Sequence, residues 1–258
     1  MAQEIIVFKV GTSTLTHRSG LINIRRMEQL VKVLADLKNA GRQIILVSSG
    51  AVSVGVGKLG LKSRPEDIPG KQAVAAIGQC ELMYLYDKMF AEYNHTVAQV
   101  LLTKDVTEDD YRSTNVKNTF SRLLEMNVIP VVNENDTVCT EEIEFGDNDA
   151  LSAIVAQMVG ADRLIIISDI DGLYTDNPKI NPQARRLDVV PVINETILSY
   201  GKGAGSSRGT GGMETKVLAA QAACKAGIET VVLSGEDPRN LYRLFDGESI
   251  GTLFLKEA

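Results

Sequence analysis

Two lysines stand where a charge needs a reason. Lys9 lies inside the apolar run Glu4 to Val10 (EIIVFKV), and Lys216 closes the stretch Thr210-Gly211-Gly212-Met213-Glu214-Thr215-Lys216. An ammonium buried among Ile5, Val7 and Val10 is costly without an anion beside it, so Lys9 is read as a working cation. Lys216 falls near a helix start, where the helix dipole does not favour a cation; taken alone it reads equally well as a solvated surface charge. Acids and amides cluster in Asn133-Glu134-Asn135-Asp136, in Gly146-Asp147-Asn148-Asp149 and in Ser168-Asp169. Each has an ordinary reading as a turn or as the first turn of a helix. Glycines precede helical stretches around Gly11, in Ser48-Ser49-Gly50 and at Gly211-Gly212, and such turns let backbone N–H groups approach an anion. Lysines near two of the three suit a polyphosphate bound beside a second anionic substrate.

Composition narrows the chemistry further. The 258 residues are 44% hydrophobic, enough for one sizeable α/β core. With 27 Lys+Arg against 33 Asp+Glu the net charge is −6. No nucleic-acid partner is expected, and an anionic substrate must be held by local positive groups. Three scattered cysteines (Cys80, Cys139, Cys224) and two histidines (His17, His95) give neither a disulfide framework nor a protein-borne metal cage. The N-terminus shows no signal-peptide pattern, and no apolar run approaches the roughly 18 residues of a membrane span, so a cytoplasmic location is expected. The nucleotide signatures in common use do not fit. GxxxxGK[ST] is missing, and Gly55-Val56-Gly57-Lys58-Leu59-Gly60 matches GxGxxG without sitting between a first strand and its helix.

The elements that must position these residues follow from periodicity. Strands are predicted at 4–10, 43–47, 96–102, 128–132, 163–168, 230–234 and 251–255, and helices at 23–40, 72–93, 111–126, 147–160 and 213–227. This alternation predicts an α/β fold: an open, mostly parallel central sheet with helices on both faces, a three-layer sandwich. Residues 55–71, rich in Gly, Lys and Pro, read as a mobile loop and a candidate lid, and 172–212 breaks the rhythm. In open sheets of this kind ligands gather at the C-terminal strand ends, where the polar clusters above fall.

Six segments, in order, resemble the amino acid kinase family: FKVGTSTLT (8–16), VSSGAV (47–52), VVNENDTV (131–138), FGDNDALSA (145–153), SDIDGLYTDNP (168–178) and GTGGMETKVLAA (209–220). Gly78-Gln79 and the closing Gly251, Thr252 and Phe254 fit the same pattern. The resemblance implies one kinase domain over 1–258, with an amino-acid lobe at about 1–160 and a nucleotide lobe at about 161–258. It implies ATP and Mg²⁺ as cofactors, the metal carried by the phosphates, and L-glutamate as acceptor through its side-chain carboxylate. Lys9, Lys216 and Asp149 would be catalytic, Asp149 orienting the two lysines. Ser49, Gly50, Asn133, Asp136, Asp147 and Asn148 would hold the amino acid. Gly11, Ser168, Asp169 and Thr210 through Lys216 would hold ATP with Lys9, and Gly11, Gly50 and Ala51 would line the phosphate path. The resemblance also implies proline as a feedback inhibitor, glutamyl-phosphate reductase as the next enzyme in proline synthesis, and a dimer or tetramer. Many relatives carry a further C-terminal PUA domain, which is expected to be absent here.

Other acceptors on the same fold (acetylglutamate, aspartate, carbamate, a nucleoside monophosphate) and a non-catalytic amino-acid sensor remain as alternatives. The NENDTV and GDND segments favour a small acidic amino acid held through its amine. A sensor has no use for two phosphate-binding lysines.

Overall fold

The computed structural model describes residues 3–107, 109–138, 148–178, 180–202 and 212–257. The chain opens with β1 (Ile5–Val10), a single turn α1 (Thr12–Leu15), α2 (Ile24–Asn39) and β2 (Gln43–Ser48). It continues through α3 (Ala51–Leu59), α4 (Ile68–Ala91), β3 (Val97–Leu102), a 3₁₀ turn at Lys104–Thr107, α5 (Asp110–Glu125) and β4 (Ile129–Glu134). After these come α6 (Asn148–Val159), β5 (Arg163–Ser168), β6 (Val189–Val190), α7 (Glu195–Gly201), α8 (Met213–Lys225), β7 (Glu229–Ser234), α9 (Asn240–Phe245) and β8 (Thr252–Phe254).

The strands form one eight-stranded sheet in the order β3-β4-β2-β1-β5-β7-β8-β6. Every strand pair is parallel except β7–β8. Lys9 is in register with Val47 of β2 and Ile166 of β5, so it sits near the middle of the sheet. From β1 the chain builds outward through β2 on one side and later through β5 on the other. The crevice at the C-terminal ends of these strands is therefore where such a sheet accepts a ligand.

Successive side chains on a strand alternate between faces, and β1 shows the result. Ile6, Phe8 and Val10 join a core with α2 and α4, whereas Val7 joins a second core with α5, α6 and α8. Lys9 shares the face of Val7. Both faces are buried, so the strands read as continuous apolar runs. Helices α2 and α4 start on side-chain caps: Asn23 accepts from the Arg26 N–H at 3.2 Å, and Asp67 from the Gly70 N–H at 2.7 Å.

One local expectation needs correction. Only residues 60–67 of the 55–71 stretch form a loop: α3 runs to Leu59 and α4 begins at Ile68. The glycines there serve close helix packing. A Cβ on Gly55 would lie 2.0 Å from the Val74 carbonyl oxygen, and one on Gly78 would lie 1.8 Å from that of Ala51. Within the irregular 172–212 region the chain adds β6 and α7, and the last strand turns antiparallel to β7. No helix among the described residues is long and apolar enough to cross a membrane.

Candidate active site

Each site element brings one or two polar side chains to the C-terminal edge of the sheet. β1 delivers Lys9, which is 4% exposed. Helix α8 delivers Lys216 from its first turn, 3% exposed. Both ammonium groups reach the carboxylate of Asp149, the second residue of α6: Lys9 Nζ lies 2.5 Å from Oδ1 and Lys216 Nζ lies 3.0 Å from Oδ2. Asp149 is fully buried. Thr215 donates its hydroxyl to the same Oδ2 at 2.9 Å, and Thr215 and Lys216 both donate to the carbonyl of Gly212. Residues 9, 149 and 216, far apart in sequence, thus form one charged cluster.

The neighbouring residue, Asn148, belongs to a different network. Its Nδ2 donates to the Ser48 carbonyl at 2.8 Å, to Ser49 Oγ at 3.2 Å and to Asn133 Oδ1 at 2.8 Å. Asn133 in turn donates to Gln79 Oε1 of α4 at 2.8 Å, and its Oδ1 also accepts the Glu134 N–H. Gln79 is a member of this network that sequence reasoning noticed only as part of a Gly-Gln pair; nothing in the sequence alone says that α4 turns it toward β4. Asp136 is half-buried just beyond β4. Its carboxyl is pushed up to about 6, first by burial and second by the charge of Glu134, while Arg64 pulls the other way.

The turn after β2 is shaped by Gly50, whose φ of +104° is a left-handed conformation that glycine adopts without strain. It places Ser49 and Ala51 at the start of α3, with the Ser49 N–H bonded to the Val10 carbonyl at 3.1 Å. Gly11 is expected along the phosphate path. Its N–H is already bonded to the Ile167 carbonyl at 3.1 Å. Ser168 is buried and bonded to exposed Asp169 at the end of β5. Met213 is buried in the core, and Glu214 is exposed. Asp147, Thr210 and Gly211 lie outside the described residues. Among the described residues no group of three His, Cys, Asp or Glu side chains is placed to hold a metal ion.

Comparison with known proteins identifies the family. The amino acid kinase family matches residues 4–234. The glutamate 5-kinase of Clostridium perfringens is 53% identical over 97% of this chain and 94% of its own length. That of Enterococcus faecalis is 49% identical over 97% of this chain and 94% of its own. The carbamate kinase from Giardia lamblia, solved bound to AMP-PNP, superposes with a TM-score of 0.69 at 13% identity, covering 99% of both chains; this likeness speaks for the fold alone. A matching order of segments, one parallel sheet and relatives aligned end to end lead to one conclusion: the chain belongs to the amino acid kinase family.

Proposed function

We propose that this protein transfers the γ-phosphoryl group of ATP to the side-chain carboxylate of L-glutamate, giving L-glutamyl 5-phosphate, the first step of proline synthesis. The meeting of Lys9 and Lys216 on the Asp149 carboxylate, one residue from the Asn148 network, carries this reading. A glutamate side chain has an ordinary pKa near 4.3 and is already ionised at neutral pH, so it attacks phosphorus without a general base. What remains is repulsion between two anions. Lys9 and Lys216 would flank the transferring group and neutralise its oxygens, held apart and aimed by Asp149.

The amino acid lies on the side of Ser49, Gly50, Asn133, Asp136 and Asn148, and the nucleotide on the side of Gly11, Ser168, Asp169 and residues 212–216. This reading assigns the amino acid to a lobe of about 1–160 and the nucleotide to a lobe of about 161–258. Asp147 joins the first group and Thr210 and Gly211 the second by resemblance alone. The polar, lysine-lined edge suits a polyphosphate. Mg²⁺, carried by the phosphate oxygens, would add neutralising charge as a Lewis acid. Proline as inhibitor at the glutamate site, hand-over of the reactive acyl phosphate to a reductase, a cytoplasmic location and assembly into dimers or tetramers belong to the same reading.

Hydroxylamine traps an acyl phosphate as a hydroxamate, which tests the reaction directly. Glutamate with ATP and Mg²⁺ should give a hydroxamate, and proline should suppress it. ADP release with carbamate or a nucleoside monophosphate but not with glutamate would overturn the acceptor. Glutamate binding without turnover would favour a sensor.

A further inference from the structure

Glu134, the last residue of β4, is 2% exposed. Two positions after Val132, it leaves the strand on the same face, toward α5 and α6, and it is in register with Leu102 of β3. Among the described residues neither of its carboxylate oxygens has a hydrogen-bond partner. Asn148 is 1% exposed, and while its Nδ2 is fully engaged, its Oδ1 has no partner either. The two residues flank one amide, because Asn133 Oδ1 accepts from both the Asn148 Nδ2 and the Glu134 backbone N–H. Three buried acceptor atoms on adjoining elements therefore lack a donor. Folded proteins leave such atoms unsatisfied rarely, and a buried carboxylate without a partner is among the most costly cases.

The missing group is a cation with several N–H donors. Asp136, two residues on, feels the repulsion of Glu134 and would gain from the same cation. An ammonium carries three N–H donors, one for each of Asn148 Oδ1, Glu134 and Asp136. Among the described residues no three acidic, His or Cys side chains converge as a metal would ask.

We propose that Glu134 selects for an acceptor bearing a primary ammonium, receiving the α-ammonium of the amino acid together with Asn148 Oδ1 and Asp136. This rests on the reading of the chain as a kinase of the glutamate side chain. The empty site bears the strain of an unpaired carboxylate, and the substrate relieves it. A dicarboxylate without the amine leaves that carboxylate unpaired, so discrimination arises from what a wrong ligand fails to satisfy.

The test compares L-glutamate with glutarate, the same dicarboxylate lacking the amine, on wild type, Glu134→Gln and Glu134→Asp. Glutarate is followed as a substrate by ADP release, or as a competitor of glutamate where turnover is too slow. Glu134→Gln should lower kcat/KM for glutamate about 10- to 100-fold, as for a hydrogen bond to a charged group, and leave glutarate within about twofold. Its melting temperature without ligand should rise by a few degrees, because the unpaired buried carboxylate is gone, and glutamate should raise it less than in wild type. Glu134→Asp should recover part of the preference. An equal loss with both ligands, together with a lower melting temperature, would make Glu134 a structural prop and overturn the proposal. An unchanged preference would overturn it too. A wild-type protein that never phosphorylates glutamate would instead remove the kinase reading, and the melting comparison would still decide whether Glu134 receives the ammonium.

Discussion

Asn148 and Asp149 are adjacent in sequence and open the same helix, yet they sit in opposite kinds of chemistry. Asn148 is the centre of a neutral network of amides, hydroxyl and backbone carbonyl that reaches β2, β4 and α4 and keeps acceptor atoms in reserve. Asp149 is the centre of an ionic cluster gathered on itself, with two ammonium groups and a hydroxyl on one carboxylate. The difference teaches how one site handles two anions. The ionic half is assembled before anything binds, so its charges need no rearrangement at the moment of transfer. The amide half keeps Asn148 Oδ1 in reserve, which on the proposed reading the amino acid completes.

The sharpest way to break this comparison is to strike the ionic half. Lys216→Ala should lower kcat by about 10²–10³, the usual cost of losing a preorganised charge donor, while the KM for glutamate changes little. Steady-state kinetics showing equal turnover in mutant and wild type would end the distinction. Asp136→Ala strikes the other half and should raise the KM for glutamate about 10- to 100-fold, with a much smaller change for ATP. A larger effect on ATP would place Asp136 in the wrong half.

The Asp136 carboxyl, pushed up to about 6, gives this half a pH signature. As pH falls through 6 it protonates and the KM for glutamate should climb in wild type. In Asp136→Asn that rise should be lost. The sign for stability is the reverse. A raised pKa means the folded state takes up the proton first, so relative stability is gained as pH drops from 7 toward 4. Asp136→Asn should therefore stabilise the empty protein at pH 7 to 8, and the gain should fade by pH 4.

Smaller effects sharpen the boundary. Asp149→Asn should give a milder loss of kcat than Lys216→Ala, with both lysines displaced in a crystal structure and a lower melting temperature. Unmoved lysines together with lost activity would give Asp149 another task. Gln79→Leu removes one neutral hydrogen bond behind Asn133 and should raise the KM for glutamate about fivefold with kcat intact.

Much of this was legible in the chain itself. Continuous apolar runs such as Arg163–Ser168 announce strands buried on both faces, and the spacing of Met27, Leu30, Val31 and Leu34 announces a helix. The polar residues after each strand pointed to the sheet edge on which Lys9, Asn133, Asn148 and Asp149 do gather. Helix α3 was hidden because its Gly55 and Gly57 carry the composition of a loop; their reason is the backbone pressed against them, which no local pattern reveals. Val189–Val190 was too short to show a period. Lys216 could be placed beside Asp149 only by resemblance, since no spacing rule spans the 66 residues that separate Thr215 from Asp149. Glu134 looked like one acid among four polar neighbours, because burial and the lack of a partner are properties of the folded molecule.

The contact between Gly78 and Ala51 reaches further than packing. Ala51 is the residue after the Ser49-Gly50 turn, and the bare backbone of α4 lets it settle to its present level. The floor of the binding edge is thus set by a missing methyl on a helix that lends the cleft only one amide. A single added carbon at position 78 would act like a shim under a hinge, lifting the whole turn without touching a ligand.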